Sequence, residues 1–77
     1  MKTVLEIPLD DYHLCLTRFP LNSREYKLLR NGIQVRNDSS REVIHILCDQ
    51  KILIMIRQLF ATACPEAVGR LREIPEY

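Results

Sequence analysis

Two histidines and three cysteines carry the most versatile chemistry in this chain. His13 and Cys15 lie two residues apart, and His45 and Cys48 three apart. Two imidazoles and two thiolates make up the donor set of a tetrahedral zinc site. The spacing argues against one, because H-x-C with H-x-x-C is not a common zinc pattern. On a regular strand, moreover, residues three apart point to opposite faces. A partly buried histidine and small apolar cysteines account for the same residues, so no metal or other cofactor is expected. Cys48 just before a helix start and Cys64 just before Pro65 raise the question of a reactive thiol, since a helix N-terminus favours the thiolate. A nucleophile also needs a base, and only the fold could bring His13 or His45 close. Free cysteine is commonly a buried residue, so structural thiols are the expectation.

Adjacent carboxylates at Asp10 and Asp11 look like a tool for glycoside or phosphoryl chemistry. They fall where a turn is expected, and aspartate is favoured in turns for local hydrogen bonding. The only glycines, Gly32 and Gly69, cannot form a glycine-rich phosphate loop, which removes the Walker and dinucleotide fingerprints. With no catalytic constellation assembled, the expectation is a non-enzymatic protein.

Charge is distributed unevenly. The formal net charge is +1, but residues 18–41 hold Arg18, Arg24, Lys27, Arg30, Arg36 and Arg41 against only Glu25 and Asp38. On a helix, Arg24, Lys27 and Arg30 fall within an arc of about 120°, and Arg18, Arg36 and Arg41 would join them if the neighbouring strand ends lie close. Such a patch attracts phosphate backbones, so a nucleic-acid-binding accessory role is the alternative function. Against it, the chain has no Trp, and its few aromatics are not interleaved with the basic residues as a base-stacking platform requires.

The elements that must position these groups follow from periodicity. Thr3–Leu9 alternates as a strand, with Pro8 marking its end at a bend or sheet edge. After a turn at Asp10-Asp11, Tyr12–Phe19 alternates again and is assigned as a second strand, closing a first hairpin. The rival reading is a short helix capped by Asp10 that uses Leu9, His13, Leu16 and Phe19. Ser23 is a good N-cap for a helix over 24–31 that stops at Gly32. The rival there is a hairpin on Asn31-Gly32. Ile33–Arg36 and Arg41–Cys48 form a second hairpin around a turn at Asn37–Ser40. Asp49 caps the main helix, Gln50–Ala63, whose apolar residues fill an arc of about 160°, with Ile54 outside it. Pro65 opens a short final helix over 66–73, and Pro75 stops it.

These elements predict a single small α+β domain over residues 1–77: an antiparallel sheet of two hairpins, a short helix between them, and one long C-terminal amphipathic helix packed on the sheet. With 77 residues, 47% of them apolar, such a domain buries only about 60% of its unfolded surface. The longest unbroken apolar run, Ile52–Ile56, is far short of the roughly 20 residues of a membrane span. Glu6 and Pro8 break any signal-peptide core. An odd number of widely spaced cysteines fits reduced thiols in the cytoplasm. The strand Val43–Cys48 is apolar on both faces, with Val43, His45 and Leu47 on one of them, and Ile54 is apolar on the polar side of its helix. Both point to more apolar surface than one copy can cover. The leading functional expectation is therefore a self-associating protein-interaction module, a homodimer or a subunit of a larger assembly, docking through Ile54, Val43, His45 and Leu47. The competing reading is that Val68, Leu71 and Ile74 of the last segment cover Ile54.

Overall fold

A computed structural model describes residues 2–30, 35–38 and 42–75. The chain runs β1 (Thr3–Pro8), α1 (Leu9–Thr17), α2 (Arg24–Arg30), β2 (Val35–Asp38), β3 (Val43–Cys48), α3 (Gln50–Ala63), a 3-10 helix (Pro65–Arg70) and β4 (Arg72–Pro75). The four strands form one sheet in the order β2-β3-β1-β4, and every neighbouring pair is antiparallel. With α1 and α2 together in the first helical position, this is the split β-α-β arrangement of ferredoxin-like folds. That architecture hosts many unrelated activities and assigns none by itself.

The α+β class and the antiparallel sheet match expectation, but the first hairpin does not form. Residues 9–17 are the helix α1, and β1 pairs instead with β3 and β4. The alternation over Tyr12, Leu14 and Leu16 is misleading, because Leu14 is a solvent-facing leucine. The inward face of α1 is Tyr12, Cys15 and Leu16, the i, i+3, i+4 set of a helix. Pro8, whose ring leaves no N–H to satisfy, occupies the N-cap, and no side chain caps the helix there.

The helix after Ser23 forms as expected: the Ser23 hydroxyl accepts the Tyr26 amide at 3.1 Å. Its stop at Asn31-Gly32 lies outside the described residues. Tyr12, buried in the core, donates its hydroxyl to the Leu29 carbonyl at 2.7 Å and so ties α1 to the last turn of α2. The second hairpin forms between β2 and β3, but Asn37 and Asp38 belong to β2 rather than to the turn. Pairing resumes at Val43, after Glu42 adopts a left-handed backbone with φ 54° and accepts the Leu9 amide at 2.9 Å.

Asp49 caps α3 by accepting the Ile52 amide at 2.8 Å. The long helix is not the end of the chain, because the expected helix over 66–73 is replaced by the 3-10 helix and β4. Tertiary pairing overrides helical pattern here. Residues 72–75 complete the open edge of β1, and Pro75 is tolerated because β4 is an edge strand. One core results: Leu5, Ile7, Ile44, Ile46 and Cys48 from one sheet face meet Leu29, Leu53, Ile56, Phe60, Ala67 and Leu71 from the helical layer and its exit. Among the described residues, no helix is long and apolar enough to cross a membrane.

Candidate functional site

The structure separates the four candidate metal ligands. On a helix, His13 and Cys15 stand about 200° apart, with His13 exposed and Cys15 buried. His45 and Cys48 point to opposite faces of β3, His45 outward and Cys48 into the core. Among the described residues, no cluster of three or more His, Cys, Asp or Glu could hold a metal ion. All three thiols are buried. Burial pushes Cys15 and Cys48 up to about 11 from an ordinary value near 9, and it raises Cys64 as well. At Cys48 the neighbouring Asp49 carboxylate adds to this desolvation in disfavouring the thiolate.

An alkaline stability loss follows. Unfolded thiols ionise near 8.5, so above that pH the unfolded chain releases protons that the folded chain keeps until about 11. The thiol contribution to stability is whole below the unfolded pKa and drains away as pH rises toward the folded one. Urea midpoints measured from pH 7 to 10 are expected to fall. A Cys15→Ala, Cys48→Ala double variant should show a shallower decline, and equal slopes would refute the assignment.

The paired aspartates open α1, where carboxylates favour the helix dipole, and they differ in role. Asp10 is exposed, while Asp11 is buried and receives Nε and Nη2 of Arg70 at 2.8 and 2.9 Å. This two-point ion pair fastens α1 to the 3-10 helix. Asp11 therefore serves cohesion.

Arg18, Arg57 and Arg72 are consumed in the same way. Arg18 does not join the basic surface, because its Nη1 donates to the Ala63 carbonyl at 2.6 Å and its Nη2 meets Glu66 at 3.3 Å, at the C-terminal end of α3. Arg57 pairs with Glu73 through Nε at 2.8 Å, and Arg72 reaches Glu6 at 3.3 Å. Arg24, Lys27 and Arg30 remain together on the exposed side of α2. Arg36 sits on β2, at the register position of His45, and Arg41 lies outside the described residues. Of the expected basic surface, Arg18 is thus withdrawn, and Arg24, Lys27 and Arg30 stand together on one helix.

The proposed interface residues also divide. Val43, His45 and Leu47 share the outer face of β3, as expected, and all three are half-buried. Ile54 lies on the solvent side of α3, 49% exposed, within the helical layer and across the core from them. The last segment does not cover it: Leu71 is in the core, Val68 packs against the core, and Ile74 stands on the sheet opposite Val4. The two features therefore do not form one surface.

Register completes the outer face of the sheet. Leu47, Val4 and Ile74 form one row across β3, β1 and β4, and Val43 lies beside Pro8. Between these apolar groups runs a polar row in which Glu6 Oε1 meets His45 Nε2 at 3.0 Å and Glu6 Oε2 meets Arg72. Glu6 is only 7% exposed along its side chain, although it belongs to the outer face. Val4, Pro8, Val43, Leu47 and Ile74 are half-buried, and none of them belongs to the core or packs against it.

Sequence reasoning missed Val4, Glu6, Ile74 and Arg72 as members of this face. Alternation in β1 separates Val4, Glu6 and Pro8 from the inward residues, so half of the signal was present. The other half was masked by the helical reading of 66–73. Comparison of the chain with protein-family models, with curated proteins and with solved structures finds no match.

Proposed function

We propose that this chain is a non-catalytic cytoplasmic interaction module that forms a two-fold homodimer through the outer face of its sheet. One observation carries the reading: five half-buried apolar residues from three strands surround an internally paired polar row, and none of the five belongs to the core or packs against it. Two such sheets pack at about 10 Å, and two-fold pairing is the commonest form of self-association. Glu6 already has His45 and Arg72 as partners, so closing a second copy over it leaves no unpaired carboxylate, which would otherwise be costly. Three buried free thiols fit a reducing compartment. The face suits a protein better than a nucleic-acid strand, because four-stranded sheets that bind RNA stack bases on aromatic rings, whereas β1 and β3 carry no Phe, Tyr or Trp.

The face is small. Strand spacings of about 4.8 Å and rises of about 3.4 Å give it a footprint of roughly 300 Å². That places the dimer at the weak end of specific interfaces, which bury less than about 1,200 Å² in total. Sedimentation velocity over a dilution series is expected to show a reversible monomer–dimer equilibrium. Leu47→Glu should hold the protein as a folded monomer at every concentration, with an unchanged circular dichroism spectrum. A wild-type chain that stays monomeric at high micromolar concentration refutes the proposal. So does a dimer that survives both Leu47→Glu and Val4→Glu.

A further inference from the structure

We propose that the groove between α2 and α3 docks an acidic amphipathic helix of a partner protein. The argument begins with ion pairing. Arg18, Arg57, Arg70 and Arg72 each meet a carboxylate within the chain. Arg24 and Lys27 do not: among the described residues, neither side chain has an ion pair or a hydrogen bond, and both are exposed. Two cations one turn apart on one helix face, left without a counter-charge, form a site at which an acid from outside is favoured.

The groove beside them supplies the second half of the recognition. It has a volume of about 750 Å³ and runs between Arg24 and Lys27 on the α2 side and Gln58 and Thr62 on the α3 side. Its apolar floor is Leu28, Met55 and Leu59. From Met55 to Thr62 the α3 wall extends two turns, about 10.5 Å at 1.5 Å per residue. That length accepts apolar anchors at i, i+3 or i+4, and i+7 of a docked helix. Met55, being unbranched and polarizable, adapts to anchors of different shape. Glu25 also lines the groove and disfavours acids next to it, so the acidic edge of the partner belongs against Arg24 and Lys27.

A polyanion such as nucleic acid would use the cations but leave the apolar floor without a function. An apolar partner with acidic flanks uses both. The groove opens on the helical layer, on the opposite side of the core from the outer sheet face, so this site does not depend on the homodimer and leaves it undisturbed.

The test is selection from a displayed library of 16-residue helices in which leucines are fixed at helical i, i+3, i+4 and i+7 spacing and all other positions vary. Winning peptides are expected to be enriched in Asp and Glu beside the leucines, and to bind more weakly as salt rises. An Arg24→Glu, Lys27→Glu double variant should lose affinity about tenfold or more, since rim charges set association and register. Met55→Lys, which places a charge on the floor, should weaken binding independently. Lys51→Glu, outside the groove, should not. The proposal is overturned if the library enriches nothing, if neutral or basic peptides win, or if the winners bind the charge-reversed protein equally well. It is also overturned if mixed-sequence RNA or DNA binds in a salt-dependent manner and displaces the winning peptides, which would make α2 a phosphate-binding ridge.

Discussion

Phe60→Ala is expected to remove about 3–5 kcal/mol of stability. Phe60 is fully buried, and with Leu53 and Ile56 it forms the stripe by which α3 grips the sheet. A chain of this length has about 4–12 kcal/mol of total stability to lose. Truncating the ring leaves a void that neighbouring strands cannot fill, because Leu5 and Ile46 are held in register by backbone pairing on both sides and Ile7 by its pairing with Ile44. Urea denaturation should show either a sharply lowered midpoint or a chain already unfolded without denaturant. Ile54→Ala on the same helix is the matched control. Ile54 is half-exposed, so its removal is expected to stay within about 0.5 kcal/mol, as surface substitutions generally do. A Phe60→Ala variant no less stable than Ile54→Ala would show that α3 is not anchored in this way.

Glu6→Lys comes next in size. It replaces the acceptor between His45 and Arg72 with a cation, at a position where the side chain is nearly enclosed. Removing one member of a buried ion pair costs about 3–5 kcal/mol because the remaining charge is left uncompensated. The exposed Arg72 can turn to solvent, so the lower end of that range is expected. Glu6→Gln keeps the shape and some of the hydrogen bonding, so its cost should be about 1–2 kcal/mol, the scale of weakened hydrogen bonds. Combining Glu6→Lys with Arg72→Glu restores opposite charges across β1 and β4 and should recover part of the loss. Equal urea midpoints for Glu6→Lys and Glu6→Gln would mean that the row is fully solvated.

The fold was legible wherever local chemistry and tertiary packing agree. The Ser23 and Asp49 caps, the apolar stripe of α3 and the two-faced alternation of β3 each read correctly, because the same residues satisfy both local and global demands. It was illegible where they conflict. Tyr12, Leu14 and Leu16 spell a strand only if Leu14 is assumed to be buried, and a surface leucine is not unusual. Arg72–Pro75 has no strand signature of its own and becomes one because β1 offers it an edge. The proposed surfaces followed the same division. Val43, His45 and Leu47 could be read from alternation within one strand, whereas the pairing of Glu6 with His45 depends on a contact 39 residues away. The three cations of α2 were visible as an arc. That Arg18 would be withdrawn to Glu66, leaving the other three apart from it, depended on a contact 48 residues away.

The central place of β1 has a consequence for how the molecule is made. This strand leaves the ribosome before either of its two neighbours, residues 43–48 and 72–75. Loop closure over such separations is slow compared with local helix formation. During synthesis, Thr3–Pro8 therefore waits with both hydrogen-bonding edges open until β3 arrives, and with one still open until β4 arrives. An unpaired strand edge is a template for aggregation. Deleting 72–75 would make that transient vulnerability permanent.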